Sequence, residues 1–302
     1  MKSEAEGDLA LHRSETVQVR CTDGVQLAAT VYFPAQSEAV LQAIIINPAL
    51  AVPQTFYAPL AAFLANHGFY VVTYDYRGIA ESRSDELVGS KIRMHQWGQL
   101  DLDTVFRWVK EKMTPKHIWL IGHSVGGQLV GLASHSKLLS GMVVVASQSG
   151  YWRNFAPAMQ VTTFFLWHVL LPLLSIGRNS FPARLLGLAS VDLPSGVARE
   201  WARWGRTPGY LFNPRYGFDL SAYRNLQIPI LAYSFTDDAI APQTAVGVLL
   251  REYPNCNITH RHLSPEQLGV PSVGHFGFFR EPVGASFWQE TVDWLRSHDE
   301  DV

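Results

Sequence analysis

The sequence predicts an α/β fold organised around a mostly parallel sheet, and three observations carry that expectation. From Pro34 onward, short β-branched or aromatic runs alternate with segments of helical period, the order in which strand–helix–strand units pair their strands in parallel through right-handed crossovers. Several of those runs, such as 43–47 (AIIIN) and 142–146 (MVVVA), are almost wholly apolar, as strands covered on both faces are. Ahead of them stands a segment of alternating character with its own turn, which reads as an antiparallel hairpin.

Taken in order, Val17 and Val19 alternate with polar neighbours, Thr22-Asp23-Gly24 supplies turn chemistry, and a strand resumes over 25–33. After the strand 43–47 comes a helix over 54–67, closed by Gly68 as its C-cap, and then a strand over 69–75 (FYVVTYD). Trp97, Leu100, Thr104, Val105, Trp108 and Val109 recur at spacings of three and four, which marks an amphipathic helix. A buried strand over 116–121 (KHIWLI), a helix over 125–136 and the strand 142–146 follow. The alternation then stops near Gln148 and resumes near Ile228 with a strand (230–235), a helix (242–253), a strand (257–263) and a last helix (283–297).

Residues 148–227 differ in composition from the rest. They hold 14 aromatics in 80 residues against 22 in the other 222, and eight Arg against three acidic residues with no Lys, a balance of +5 beside −7 elsewhere. The expected organisation is therefore a flexible tail (1–15), an α/β core (16–147 and 228–302) and an inserted helical cap or lid (148–227). Within the insert, 161–177 (VTTFFLWHVLLPLLSIG) is apolar, but it is 17 residues long and contains His168 and Pro172. A spanning helix needs about 20 apolar residues and an internal Pro kinks or ends a helix. The stretch reads as a buried or lid helix, with stable membrane insertion set aside and contact with a membrane surface left open.

Composition narrows the function. With 302 residues, 47% hydrophobic and 17% charged, the chain is too apolar to be disordered. A net charge of −2 argues against nucleic acid as a partner, because phosphate binding needs a clear basic excess. Two cysteines, Cys21 and Cys256, cannot form a disulfide framework. The charged N-terminus lacks an apolar signal segment, which points to the cytoplasm. Oligomeric state is not readable.

The strongest local signal is Gly122-His123-Ser124-Val125-Gly126-Gly127. A G-x-S-x-G match alone is weak, but this one begins where a strand ends and a helix must start, the setting of a nucleophile elbow. A serine at the tip of such a turn sits on strained backbone, and the glycines two residues either side let the chain pass. The N–H of Val125, at the helix start, then faces the space before Ser124 and can stabilise an oxyanion. A glycine-rich turn with a capping serine is the plainer alternative.

A serine hydroxyl needs a base, and the base an orienting acid. Asp237-Asp238 follows the strand 230–235, and His275, in Ser272-Val273-Gly274-His275-Phe276-Gly277, follows the strand 257–263. Both lie at carboxyl ends of strands, the edge where α/β sheets gather ligands. His123 sits too near Ser124 in sequence to face its hydroxyl. His260 and His262 share a strand face as a metal pair would, but no third ligand accompanies them, and no metal is expected. His12, His67, His117, His135 and His298 read as surface or terminal residues, His95 as a helix-start polar group, and His168 as a core or pocket residue.

Together, the order Ser124, Asp238, His275, the elbow GHSVGG and the loop Asp75-Tyr76-Arg77-Gly78-Ile79-Ala80-Glu81-Ser82 resemble the α/β-hydrolase superfamily. Within it, the chain is similar to the serine-aminopeptidase and monoglyceride-lipase-like group, over about residues 23–297. The resemblance implies the α/β-hydrolase fold, and its pattern of an acid followed by x-Ile/Val-x-Pro selects Asp238 over Asp237, which would otherwise cap the turn. It also implies that Asp75, Arg77 and Ser82 brace their loop; Asp101 and Asp103 read as a brace or a solvated face. The family's usual His-Gly after the third strand is replaced by Asn47-Pro48-Ala49-Leu50. The second oxyanion donor is expected from Leu50, with Ala49 next, since Pro48 has no N–H.

The function expected is a serine esterase or lipase-like hydrolase that cleaves a small-molecule ester or thioester through an acyl-enzyme. No cofactor is called for. An acyltransferase with the same triad, or a non-catalytic binding protein on the same scaffold, are the alternatives. Trp152, Phe155, Phe164, Phe165 and Trp167 are candidates to line an apolar acyl channel, although aromatics also glue a lid to a core. The eight Arg suggest an anionic substrate, or merely solubility.

Overall fold

The computed structural model describes residues 13–35, 41–187 and 189–298. Its sheet has eight strands: β1 (Ser14–Arg20), β2 (Gln26–Tyr32), β3 (Gln42–Asn47), β4 (Tyr70–Tyr74), β5 (His117–His123), β6 (Gly141–Val145), β9 (Pro229–Phe235) and β10 (Asn257–Leu263), with β7 (Ser180–Phe181) and β8 (Leu193–Pro194) forming a separate short pair between them. The spatial order is β1-β2-β4-β3-β5-β6-β9-β10. β1–β2 and β2–β4 are antiparallel and all other neighbours in this sheet are parallel. β3, β5 and β6 are buried along their whole length, which is why their sequences lack alternation.

Register brings the carboxyl ends level. Asn47 is opposite Gly122, His123 opposite Val145, Val145 opposite Tyr233, and Phe235 opposite Leu263. The loops that leave β3, β5, β9 and β10 therefore open on one edge, where Leu50, Ser124, Asp238 and His275 lie.

Two expectations of extent change. The tail 1–15 gives up its last two residues to β1, which starts at Ser14; residues 1–12, with His12, lie outside the described residues. The helix expected over 125–136 runs only Val125–Gln128, and two short 3-10 turns, Val130–Leu132 and Ser134–Leu138, replace the rest. Gly126, Gly127 and Gly131 weaken helix here. In addition, the Tyr223 hydroxyl donates to the Gln128 carbonyl at 2.5 Å, the acceptor that Leu132 N–H would use in a helix, and Leu132 N–H bonds to Leu129 O instead.

Between β6 and β9 the segment carries helices Pro157–Phe165, Leu171–Leu174, Ser195–Gly205 and Ser221–Asn225. A wider π turn over Leu166–Leu170 joins the first two. Among the described residues, Pro157–Leu174 is one helix long and apolar enough to cross a membrane, yet only 17% of it is buried. Of the two readings of 161–177, a buried or a lid helix, burial is corrected: Thr163, Trp167 and Leu171 pack inward, one turn apart, while the other positions of the helix are exposed or half-buried.

The elbow is seated by close backbone contact. A Cβ at Gly126 would lie 2.1 Å from the Asn47 carbonyl oxygen and 2.9 Å from that of Pro48, and backbone cannot yield as a side chain does. Gly126→Ala is expected to cost about 1–3 kcal/mol, read as a lower urea midpoint with the denaturant slope unchanged.

Candidate active site

Ser124 follows directly on β5 with φ 51° and ψ −115°, a conformation that L residues avoid and that stores strain where a structure over-determines it. Its amide is tied to Val145 O at 2.9 Å. Glycine at 122 is required behind it, because a Cβ there would come within 2.8 Å of the Gly127 backbone.

The two aspartates after β9 divide their work. Asp238 Oδ2 accepts from His275 Nδ1 at 2.8 Å, and its Oδ1 accepts the amides of Ile240 (2.9 Å) and Ala241 (3.0 Å). Asp237 Oδ2 accepts the amides of Val273 (2.8 Å) and Gly274 (3.0 Å). One carboxylate thus holds the imidazole and its neighbour holds the loop that carries it. The Asp238 and His275 side chains are only 1% and 7% exposed, so water competes little for their bond.

His275 and Ser124 line one cavity of about 100 Å3 together with Ala49, Leu50, Val125, Gln128, Gln148, Trp201, Ile240 and Phe276. The Ser124 hydroxyl and the imidazole share this space without a hydrogen bond between them, a looseness common in unliganded sites. A second cavity of about 230 Å3 adjoins it through Leu50, Gln148, Trp201 and Ile240; Phe155, Met159, Leu166, Trp167, Leu171 and Leu193 add an apolar wall.

Among the described residues, neither Val125 N–H nor Leu50 N–H has a backbone or side-chain acceptor, and both residues line the smaller cavity. Ala49 N–H is engaged: it donates to Tyr57 Oη at 2.8 Å. That hydroxyl in turn donates to His123 Nδ1 at 2.8 Å, leaving Nε2 to carry the ring proton and donate to the His275 carbonyl at 2.9 Å. The carbonyl can only accept, so the tautomer is settled by the chain itself. His123 thereby links the β3 loop to the His275 loop. Full burial, reinforced by the nearby His275, pushes its pKa well below 6.5.

The predicted brace residues form a buried network. Asp75 accepts the amides of Gln54 (2.8 Å) and Glu81 (3.2 Å), and Ser82 Oγ donates to Asp75 O at 2.7 Å and accepts Ala28 N–H at 2.9 Å. Arg77 pairs with Asp101 and with Asp23, each at 2.6 Å. Asp101 is wholly buried, not solvated, and burial raises it to about 6 even against the pull of Arg77. Asp103 holds Ser134 and His135.

Other expectations divide. Phe155 and Trp167 line the apolar cavity. Phe165 does not: it points outward, and Trp152 and Phe164 pack on each other with centroids 5.2 Å apart. Trp201, Met159, Leu166 and Gln148 were not foreseen as lining; the four-residue spacing of 159, 163, 167 and 171 is the signal that held part of this. None of the eight Arg of the insert lines either cavity, so the anionic-substrate expectation loses its basis. His117 is buried rather than superficial and contacts Ser140 Oγ at 3.0 Å. His260 and His262 share Ser234 Oγ, each at 2.8 Å, and no group of three metal-ligating side chains occurs among the described residues. Cys21 and Cys256 are both free thiols.

Comparison with known proteins bears on the fold. A family model described as "Alpha/beta hydrolase family" matches residues 49–285. The chain belongs to the α/β-hydrolase family. Similar solved structures include an esterase from Pyrococcus furiosus (14% identity, TM-score 0.58, covering 98% of this chain and 96% of that one). Brefeldin A esterase, a bacterial homologue of human hormone-sensitive lipase, matches at 16% identity and TM-score 0.59 over 99% of this chain and 80% of that one. Esterase B from Lactobacillus rhamnosis matches at 15% and 0.60 over 98% and 88%. At such identities the likeness is one of fold. No curated protein matches the chain.

The buried His123 makes stability depend on pH. Its folded pKa lies below the ordinary 6.5, so the unfolded chain takes up the proton first as pH falls. Its contribution is whole above about 6.5 and is lost below, by up to about 1.4 kcal/mol per pH unit. In urea unfolding at pH 7.5 and 5.5, His123→Gln is expected to show a smaller difference between the two than the wild type does.

Proposed function

We propose that the protein is a serine hydrolase that cleaves carboxylic esters or thioesters with an apolar acyl group. The observation that carries this reading is that His275, held by Asp238, shares one small cavity with Ser124, with two unengaged amides among the residues of its wall. Ser124 Oγ attacks the acyl carbon while His275 Nε2 takes the hydroxyl proton, and Asp238 stabilises the imidazolium. The amides of Val125 and Leu50 receive the oxyanion; Ala49 is left out because its N–H serves Tyr57. On collapse, the imidazolium returns the proton to the leaving alcohol or thiol, giving the acyl-enzyme. Water then attacks with His275 again as base, and the acid and free Ser124 are released. The adjoining apolar cavity supplies a place for the acyl chain, under the segment 148–227 acting as a cap over the core. The esterase names of the structural neighbours are consistent with this chemistry.

Purified protein is expected to hydrolyse p-nitrophenyl esters and to be labelled by a fluorophosphonate at Ser124. Ser124→Ala and Asp238→Asn should each lower kcat by about 10⁴ or more. Folded but inactive, unlabelled wild type would contradict the reading, and product analysis with added alcohol separates hydrolysis from acyl transfer. Met159→Trp, which fills the apolar cavity away from Ser124, should leave acetyl esters unaffected and lower kcat/KM for longer acyl esters by about tenfold.

A further inference from the structure

The helix Pro157–Leu174 has two apolar faces. Its inward face supplies Met159, Thr163, Leu166, Trp167 and Leu171 to the larger cavity. Its outward face carries Val161, Phe165, Val169 and Leu173 one turn apart, with Ile176 just beyond the helix; Val161, Leu173 and Ile176 are 63%, 59% and 66% exposed. The following loop, which also reaches the cavity through Phe181, Ala183 and Ala189, exposes Leu185 at 86%. Single exposed apolar side chains are ordinary, but a contiguous row of them marks a contact surface.

Charge indicates what meets it. No Asp, Glu, Lys or Arg occurs from Asn154 to Gly177. Arg153 stands before the helix, Arg178 and Arg184 after it, and all three are exposed. The first acidic residue after Arg153 is Asp192, whose carboxylate accepts the Arg184 amide. An apolar row flanked by cations suits a bilayer with anionic headgroups, where the row enters the acyl boundary and the guanidiniums meet phosphates. A second copy of the chain would bring the same positive flanks against themselves.

We propose that this outward face docks on an anionic lipid surface, lying in its plane with the larger cavity beside the acyl region. The proposal is independent of the chemistry assigned to Ser124, because docking can be measured without turnover. Full-length Ser124→Ala protein would be sedimented with vesicles of phosphatidylcholine alone and of equal parts phosphatidylcholine and phosphatidylglycerol. Binding to the mixed vesicles is expected to be about tenfold tighter than to the neutral ones. Val161→Ser/Val169→Ser/Leu173→Ser should weaken it by about tenfold or more, and Arg178→Gln/Arg184→Gln should bring it toward the neutral level, with near-UV circular dichroism showing each variant folded. Absent binding, equal binding to both vesicles, or unchanged binding in the folded triple variant would overturn the proposal. So would a dimer in sedimentation that the triple variant dissolves, which would assign the face to a second copy.

Discussion

The buried carboxamide of Asn47 ties together the parts on which the site depends. Its Nδ2 donates to Gly126 O at 2.6 Å, and its Oδ1 accepts from the hydroxyls of Tyr74 and Tyr76. All of its partners lie at carboxyl ends of strands or just beyond, so the end of β3, the elbow after β5 and the end of β4 are held in one register. Buried polar groups that are fully satisfied specify an arrangement more sharply than apolar packing, because a shifted neighbour leaves an unpaired group. The network continues outward. Tyr76 stacks on Trp97 with centroids 4.5 Å apart, Trp97 Nε1 donates to Arg77 O at 3.2 Å, and Arg77 reaches Asp101 and Asp23. The hairpin turn at Asp23 is thus coupled to the loop that carries Ser124 through ion pairs and rings.

Much of the fold was legible because burial writes itself into sequence in simple periods. The continuous apolar runs at β3 and β6 and the alternation at β1 each mapped onto a strand. That Ser124, Asp238 and His275 share one edge of the sheet was legible for a topological reason: each stands just past a parallel strand, and parallel strands end on a common edge. The choice between Asp237 and Asp238 was not in the residues themselves, since both aspartates are engaged and both serve the His275 loop.

What escaped the sequence shares a cause: contacts between segments far apart in the chain. The short helix after Ser124 is ended partly by Tyr223, which is 95 residues from its acceptor. His123 was set aside as a base, which its burial supports, but its link from Tyr57 to His275 has no local mark. In the insert, aromatic content drew attention to Trp152, Phe155, Phe164, Phe165 and Trp167 alike, whereas burial on the helix followed the face of Thr163, Trp167 and Leu171. Composition counts residues; it does not say which way they point.

The brevity of the helix behind Ser124 has an electrostatic meaning. Four residues, Val125–Gln128, align few peptide dipoles, so only a weak collective field stands behind the hydroxyl. Anionic charge created there would meet discrete local donors, not the head of a long polarised column. The alignment of individual amides then matters more than helix length, and their setting is governed by the seat of Gly126 on Asn47. A fold of this kind can shorten its central helix and still fix the amides that follow Ser124, provided that seat is kept.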